Sequence, residues 1–493
     1  MRFCIQEDQK RLLHVLRNFI QQEQSRLITN GMLLFLGGMF SCSSSSAQIQ
    51  NTDNQYKRPL VEVLKQVEDR YQVKIKYTDA QVKDKWLDYA DWRFRASADE
   101  TLANILMPLD MKVNKDKPGL YKLKAYEYYR WEVGDGWAYL DSLSLKYHDK
   151  ASWEQRKALI RPGLFKALLL DPMPAPAHTR PITTPKRVMD GYTVENVALE
   201  ILPGVWVNGS LYKPLKVKGK IPVILSPDGH WYQQRYRADC QIRCAMLAKM
   251  GAMAFSYDLF AWGESQLQFK YEDHRRSLAQ TIQTLGGIRI LDYLSGLKET
   301  DKSRIGISGG SGGGSHTILM AAMDDRIKLS APVVAMSSYF YGGCPCESGM
   351  PIHQCAGGTN NVELAAMAAP YPQLIVSDGS DWTAQTPEHD YPYLQRLYGY
   401  YGMQNKVENV HLPEEKHDFG INKRIALYDF LTKYFHLNGA AVKDQNGRYN
   451  ESKVTIESEK ALYVFGDHGE RLPKNAVMGF EQLEGLFYSK TVK

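Results

Sequence analysis

Apolar positions change their period several times along the chain, and each change marks an element. Leu60, Val63, Leu64 and Val67 recur at helical spacing, after which Val73, Ile75 and Tyr77 alternate as in a strand. Asp99 is read as the cap of a second helix carrying Leu102, Ile105, Leu106 and Leu109, followed by Met111 and Val113. Lys117-Pro118-Gly119 then turns into Leu120, Tyr121 and Leu123. Residues 151–170 read as a helix interrupted at Arg161-Pro162-Gly163, and Asp171-Pro172-Met173-Pro174-Ala175-Pro176 is a proline-rich stop. From Val188 strands dominate, over 192–201, 205–212, 221–226, 252–257, 304–308, 331–335, 373–377 and 407–412. Helical stretches such as 277–297 fall between the later ones. Antiparallel strands that lead into alternating strand and helix predict an α/β fold, a mostly parallel sheet covered by helices on both faces. Residues 441–493 offer one strand (461–465) and a final helix (476–487), with no assignable role.

The chain divides accordingly into an export segment over 1–47, a small α/β module over 55–125, a linker and wrapping helix over 126–185, a catalytic α/β domain over 186–440 and an extension over 441–493. The export reading rests on Met32–Phe40, the only long apolar run, flanked by Arg26 and by the serine-rich stretch from Ser41. As a helix it rises about 14 Å, under half of the roughly 30 Å of a bilayer core, which suits a secretory signal. Ser45-Ser46-Ala47 permits cleavage before Gln48, while Met39-Phe40-Ser41-Cys42 is a loose lipobox that would leave a lipid anchor on Cys42. Periplasm, cell envelope or medium is the expected destination.

Composition narrows the function. With 493 residues, 44% hydrophobic and 24% charged, the chain is long enough for two or three cores and is not a disordered polymer. Its net charge of +6 is spread without a dense Lys/Arg block, so a nucleic-acid partner has no support. Of seven cysteines, export removes Cys4 and removes or acylates Cys42, leaving an odd number and hence at least one free thiol.

The chemistry-bearing motif is Gly309-Gly310-Ser311-Gly312-Gly313, a G-x-S-x-G between a strand and a helix. Its glycines relieve collisions on either side of a serine held in a strained bend, and the Gly312 amide at the helix start is free to donate to an oxyanion. Ser308, within Gly306-Ile307-Ser308-Gly309-Gly310, is the rival; it would stop the strand early and turn Ile307 outward. A Gly-Lys-Ser/Thr ending, needed for a phosphate loop, is missing. A serine needs a base and the base needs a carboxylate, in the chain order Ser, acid, His. His417 lies in a polar loop after one strand and Asp381 in a loop after another. Asp378 is the rival acid, nearer its strand end, and His389 is the poorer base because Thr386-Pro387-Glu388 reads as a helix start. Pro227-Asp228-Gly229-His230-Trp231-Tyr232 follows an early strand and offers the amide of His230 or Trp231 as the second oxyanion donor. Trp231, Tyr232, Trp262 and Trp382 are candidate sugar-stacking groups, with core packing as the equal alternative. Cys344-Pro345-Cys346-Glu347, with His353 and Cys355, lacks the paired C-x-x-C spacing of zinc sites, so a disulfide within the loop is expected. Neither a metal nor a cofactor is called for.

Over about residues 150–437, Asp228-Gly229-His230, Gly263-Glu264-Ser265, the Ser311 motif, Cys346-Glu347-Ser348-Gly349-Met350-Pro351-Ile352-His353, Asp378-Gly379-Ser380-Asp381-Trp382-Thr383 and Glu415-Lys416-His417-Asp418 resemble an acetyl xylan esterase-type α/β-hydrolase. The resemblance implies a Ser311–His417–Asp381 triad acting on acetyl groups of plant polysaccharide. Two departures stand against a full match: the N-terminal module is foreign to that family's usual architecture, and Gly310 replaces the larger residue that often precedes the nucleophile. The helix–strand pattern over 55–125 is similar to the secretin and TonB short N-terminal domain, which implies an envelope protein partner. Two alternatives share the fold: a serine peptidase of prolyl-oligopeptidase type, and an inactive envelope binding protein.

Overall fold

The computed structural model describes residues 56–491, apart from 110, 126–129 and 349; the export segment lies outside them. The described residues fall into two units, 56–125 and 130–491. In the first, Leu60–Tyr71 buries Leu60, Val63, Leu64 and Val67, as its spacing predicts. The strand Lys74–Lys76 runs parallel to Leu120–Ala125, which pairs antiparallel with Met111–Lys117. The second helix is Ala98–Leu106, and its cap is Ser97 rather than Asp99: the Glu100 amide donates to Ser97 Oγ at 3.3 Å. Asp99 instead accepts from the Tyr121 hydroxyl at 2.7 Å and from Lys115 at 2.9 Å.

The second unit is built on a ten-stranded sheet. Its strands are β1 (Ile182–Thr183), β2 (Arg187–Val188), β3 (Tyr192–Leu202), β4 (Val205–Pro214), β5 (Ile221–Pro227), β6 (Met253–Tyr257), β7 (Thr300–Gly310), β8 (Leu329–Val333), β9 (Gln373–Asp378) and β10 (Val407–Leu412). The order is β10-β9-β8-β7-β5-β6-β4-β3-β1, with β2 also on β3. From β6 through β10 neighbours are parallel; β4, β3, β1 and β2 join antiparallel. β5 is buried throughout, as a strand covered on both faces requires. The sheet has the α/β-hydrolase fold, with its nucleophile candidate at the end of central β7.

Other expectations fail as well, each for a physical reason. Lys150–Ala167 is one continuous helix through Pro162. An internal proline costs about 3 kcal/mol, but Trp153, Ile160 and Leu164 are fully buried and Arg156 pairs with buried Glu363 at 2.8 Å, so packing holds the helix together. Residues 461–465 form no strand: Glu459–Leu462 is a 3-10 turn, and the next amides, of Val464 and Phe465, donate to the Glu264 carboxylate at 2.9 and 2.8 Å. The last helix starts at Phe480, after Gly479 at φ 86°. Residues 130–185 and 441–491 fall in the same unit as the large sheet, and Phe480, Leu483 and Phe487 sit in its main core.

Candidate active site

β7 ends at Gly310 and the helix Gly312–Met323 begins at once, leaving Ser311 alone in the bend at φ 51°, ψ −122°. Positive φ is strained for any side chain but glycine's and marks a backbone held by its surroundings. Those surroundings are visible. The Ser311 amide donates to Val333 O on β8 at 3.0 Å, and its carbonyl accepts from Gly314 and Ser315. A Cβ on Gly309 would lie 2.5 Å from Pro227 O, and one on Gly313 2.6 Å from the same atom, so only glycine fits two residues to either side of the serine. Ser308 is buried within β7 with its hydroxyl donating to Ala331 O at 2.9 Å, which removes it as a nucleophile.

Three loops at the same end of the sheet converge on Ser311. His417, after β10, places Nε2 at 2.9 Å from Ser311 Oγ. Its Nδ1 lies 2.5 Å from Asp381 Oδ2, after β9. Asp381 Oδ1 accepts from both the amide and the hydroxyl of Thr383 at 2.6 Å, which fixes the carboxylate. Trp231 and Trp382 flank the imidazole at ring distances of 5.5 and 4.5 Å, so both pack on His417 itself. The rivals lie elsewhere. Asp378 is fully buried against Lys423 at 3.2 Å; burial and nearby Asp381 push its carboxyl up, with the Ser380 amide and Lys423 pulling against them. His389 stacks on Trp137 and reaches Asp141 at 3.1 Å.

The loop after β5 crosses over the nucleophile: a Cβ on Gly229 would meet Gly310 O at 2.7 Å and Ser311 Cβ at 2.8 Å. Its base is anchored by buried Asp228, which faces Arg237 at 3.6 Å and Arg243 at 3.8 Å. The Gly312 N–H heads its helix, where backbone amides have no intrahelical acceptor, and the His230 and Trp231 amides follow Gly229. These amides are the candidate oxyanion donors.

Two further charges serve the site: Glu347, to which the sequence motifs give no role of its own, and Lys423, which lies outside them. Glu347 is ion-paired with His230; burial opposes its charge, but His230 and the Gly343 amide hold its carboxyl below the usual carboxylate range. The pair rests on the elbow, since a Cβ on Gly312 would lie 2.9 Å from His230 Cε1 and 3.0 Å from Glu347 Oε1. Lys423, buried in the helix Ile421–Phe435, also pairs with Asp418 at 3.0 Å and Glu415 at 3.3 Å and so ties the His417 loop to β9. Neither residue has a signal in spacing or periodicity. Trp262, a candidate sugar platform, is buried and stacks on His230 at 4.6 Å, whereas Tyr232 is 88% exposed. Cys344 and Cys346 form a disulfide, while Cys355, Cys240 and Cys244 keep free thiols. His230, Cys344 and Cys346 bring ligand atoms within 4.8 Å of one another, but the disulfide consumes both thiols and leaves one imidazole.

The fold and the hydrogen-bonded Ser311–His417–Asp381 arrangement at the strand end define the class as an α/β-hydrolase. The acetyl xylan esterase (AXE1) family matches residues 190–341. Methylesterase BT1017, a solved structure, is 49% identical to the chain, covering 90% of this chain and 98% of its own at TM-score 0.80. The chain belongs to the family of that methylesterase and is a carboxylic-ester hydrolase. Acetyl xylan esterase from Paenibacillus sp. R4 (16% identity, 62% of this chain and 100% of that one, TM-score 0.40) and a CE15 glucuronoyl esterase from Teredinibacter turnerae T7901 (14%, 67% and 98%, 0.45) align more loosely and carry no weight here. No curated protein matches. The AXE1 match does not reach the N-terminal unit, so the likeness of that unit to a secretin/TonB short domain gains no support from it.

Proposed function

We propose that the chain is an exported serine esterase that removes methyl groups from esterified carboxyl groups of a polysaccharide. The observation that carries the reaction type is the continuous relay from Ser311 Oγ to His417 Nε2, at 2.9 Å, and from Nδ1 to Asp381, at 2.5 Å. His417 takes the serine proton as Ser311 attacks the ester carbonyl, and the Gly312 amide, with that of His230 or Trp231, holds the oxyanion. The tetrahedral intermediate collapses with methanol taking the proton from His417. Water, activated by the same imidazole, then releases the sugar carboxylate from the serine.

The methyl ester is preferred because the methylesterase likeness spans 90% of the chain, whereas the acetyl xylan esterase match spans only 190–341. In the acetyl reading the same residues act, but acetate is the acyl group and the sugar hydroxyl leaves. Incubation with methyl-esterified pectin and with acetylated xylan separates the two. Methanol from the first supports the proposal, and acetate from the second alone replaces it with the acetyl reading. Hydrolysis of aminoacyl anilides in place of esters would favour the peptidase reading. Export rests on the Met32–Phe40 pattern, and the cell fraction holding the full-length protein tests it.

A further inference from the structure

We propose that the cleft on the far side of His230 from Ser311 is a subsite for neutral sugar residues of the glycan that bears the ester, and that residues 459–469 form its outer wall. The inference rests on the esterase reading and extends it to the flanking substrate. The cleft encloses about 670 Å³, within the roughly 300–1,000 Å³ of ligand pockets. His230 is its partition: it lines the cleft and also rests on Gly312, beside the nucleophile. A polymer whose ester is held at Ser311 therefore has, for its next residues, a cleft bounded by a side chain that also rests against the elbow.

The wall chemistry selects the occupant. Tyr232, Trp262, Tyr271 and Tyr463 line the cleft, with the amides of Gln234 and Gln266 among them. Tyr232 is 88% exposed and Tyr271 42%, which leaves aromatic faces in water where a sugar's C–H face would cover them. Glu459 and Asp467 contribute carboxylates, and neither Lys nor Arg lines the cleft. Lys460, outside the lining, pairs with Asp467 at 3.1 Å, and the Tyr463 hydroxyl donates to Glu459 at 2.7 Å. With Asp467 held by Lys460, Glu459 and the aromatic platforms are left to accept hydroxyls, and a uronate meets no cation in the lining, so the flanking residues are neutral even where the esterified residue is a uronate.

The outer wall is held rigidly. Glu264 receives the Val464 and Phe465 amides, and Arg235 donates to Leu462 O at 3.1 Å. This gives the C-terminal segment, which the sequence leaves without a role, a place in substrate binding.

Calorimetric titration of the whole chain carrying Ser311→Ala, with β-1,4-xylotetraose, β-1,4-galactotetraose and tetragalacturonate as probes, tests the proposal without turnover. At least one neutral tetrasaccharide is expected to bind, roughly tenfold more tightly than tetragalacturonate. Tyr232→Ala and Tyr271→Ala, each added to that protein, are expected to weaken neutral binding by roughly fivefold. Tighter binding of tetragalacturonate, no neutral binding up to about 20 mM, or neutral binding indifferent to both tyrosines would overturn it. None of these results touches the esterase reading, which is tested separately by whether ester hydrolysis survives the loss of Ser311.

Discussion

Lys423 Nζ lies 3.2 Å from Asp378 Oδ2 in a pair from which solvent is excluded on both sides. The pair decides between two aspartates three residues apart. Asp378 is committed to closing the His417 loop onto β9, and Asp381, further along, is left to orient the imidazole. Asp381→Asn is therefore expected to lower kcat by about four orders of magnitude. Asp378→Asn should keep kcat within about tenfold while losing roughly 1–3 kcal/mol of stability, since Lys423 retains Asp418 and Glu415. Steady-state kinetics with thermal melts on both variants checks the assignment, and the opposite pattern would exchange their roles.

The position of Gly229 makes a second prediction. A methyl group there has no room between Gly310 O and Ser311 Cβ, at 2.7 and 2.8 Å. Gly229→Ala must lift the loop carrying the His230 and Trp231 amides. The loss of one oxyanion donor corresponds to a fall in kcat of about 10²–10³. Circular dichroism should show the fold intact, and KM should change far less than kcat.

Asp390 carries a pH prediction. Buried beside β8's outgoing loop, it accepts from the Ser338 amide at 3.1 Å, and burial pushes its carboxyl up to about 6. The unfolded chain releases this proton near the ordinary aspartate value, so between about pH 4 and 6 the folded chain binds more protons and stability falls as pH rises. Two pH units correspond to roughly 3 kcal/mol, level again above the native value. Urea unfolding from pH 4 to 7 should show this decline in the wild type and a flatter profile in Asp390→Asn; parallel profiles would remove Asp390 as the cause.

Glu264 anchors the C-terminal segment through two backbone amides and also accepts from Asn208 at 3.0 Å. Glu264→Ala leaves the two backbone amides buried without an acceptor, at roughly 1–3 kcal/mol for each, while Asn208 keeps Asp258 at 2.7 Å. Limited proteolysis is expected to cut the variant within 455–475 first, whereas an unchanged digestion pattern would deny the anchor.

What the chain's pattern discloses follows from how local each device is. The elbow is legible because a strained serine and its steric neighbours are contiguous, so Gly309 to Gly313 records the constraint directly. The order of Ser311, Asp381 and His417 is legible because each follows a strand of the same sheet. Asp381 and Asp378 differ only through Lys423, a partner beyond reach of any local pattern. The same holds for Glu347 and His230, which meet across 117 residues of chain. Pro162 misleads because its local cost is overridden by distant packing on Trp153 and Leu164. Residues 461–465 mislead for the converse reason: the apolar run there turns on itself, and the Val464 and Phe465 amides donate to one carboxylate instead of to a neighbouring strand.

Mass spectrometry of the intact protein after reaction with a fluorophosphonate, at neutral pH and with Ser311→Ala and His417→Ala alongside, reads the activated hydroxyl directly. One adduct per chain, mapped to Ser311, absent from Ser311→Ala and formed far more slowly in His417→Ala, is the predicted result. An adduct on another residue, or equal labelling without His417, would contradict the relay on which the esterase chemistry depends.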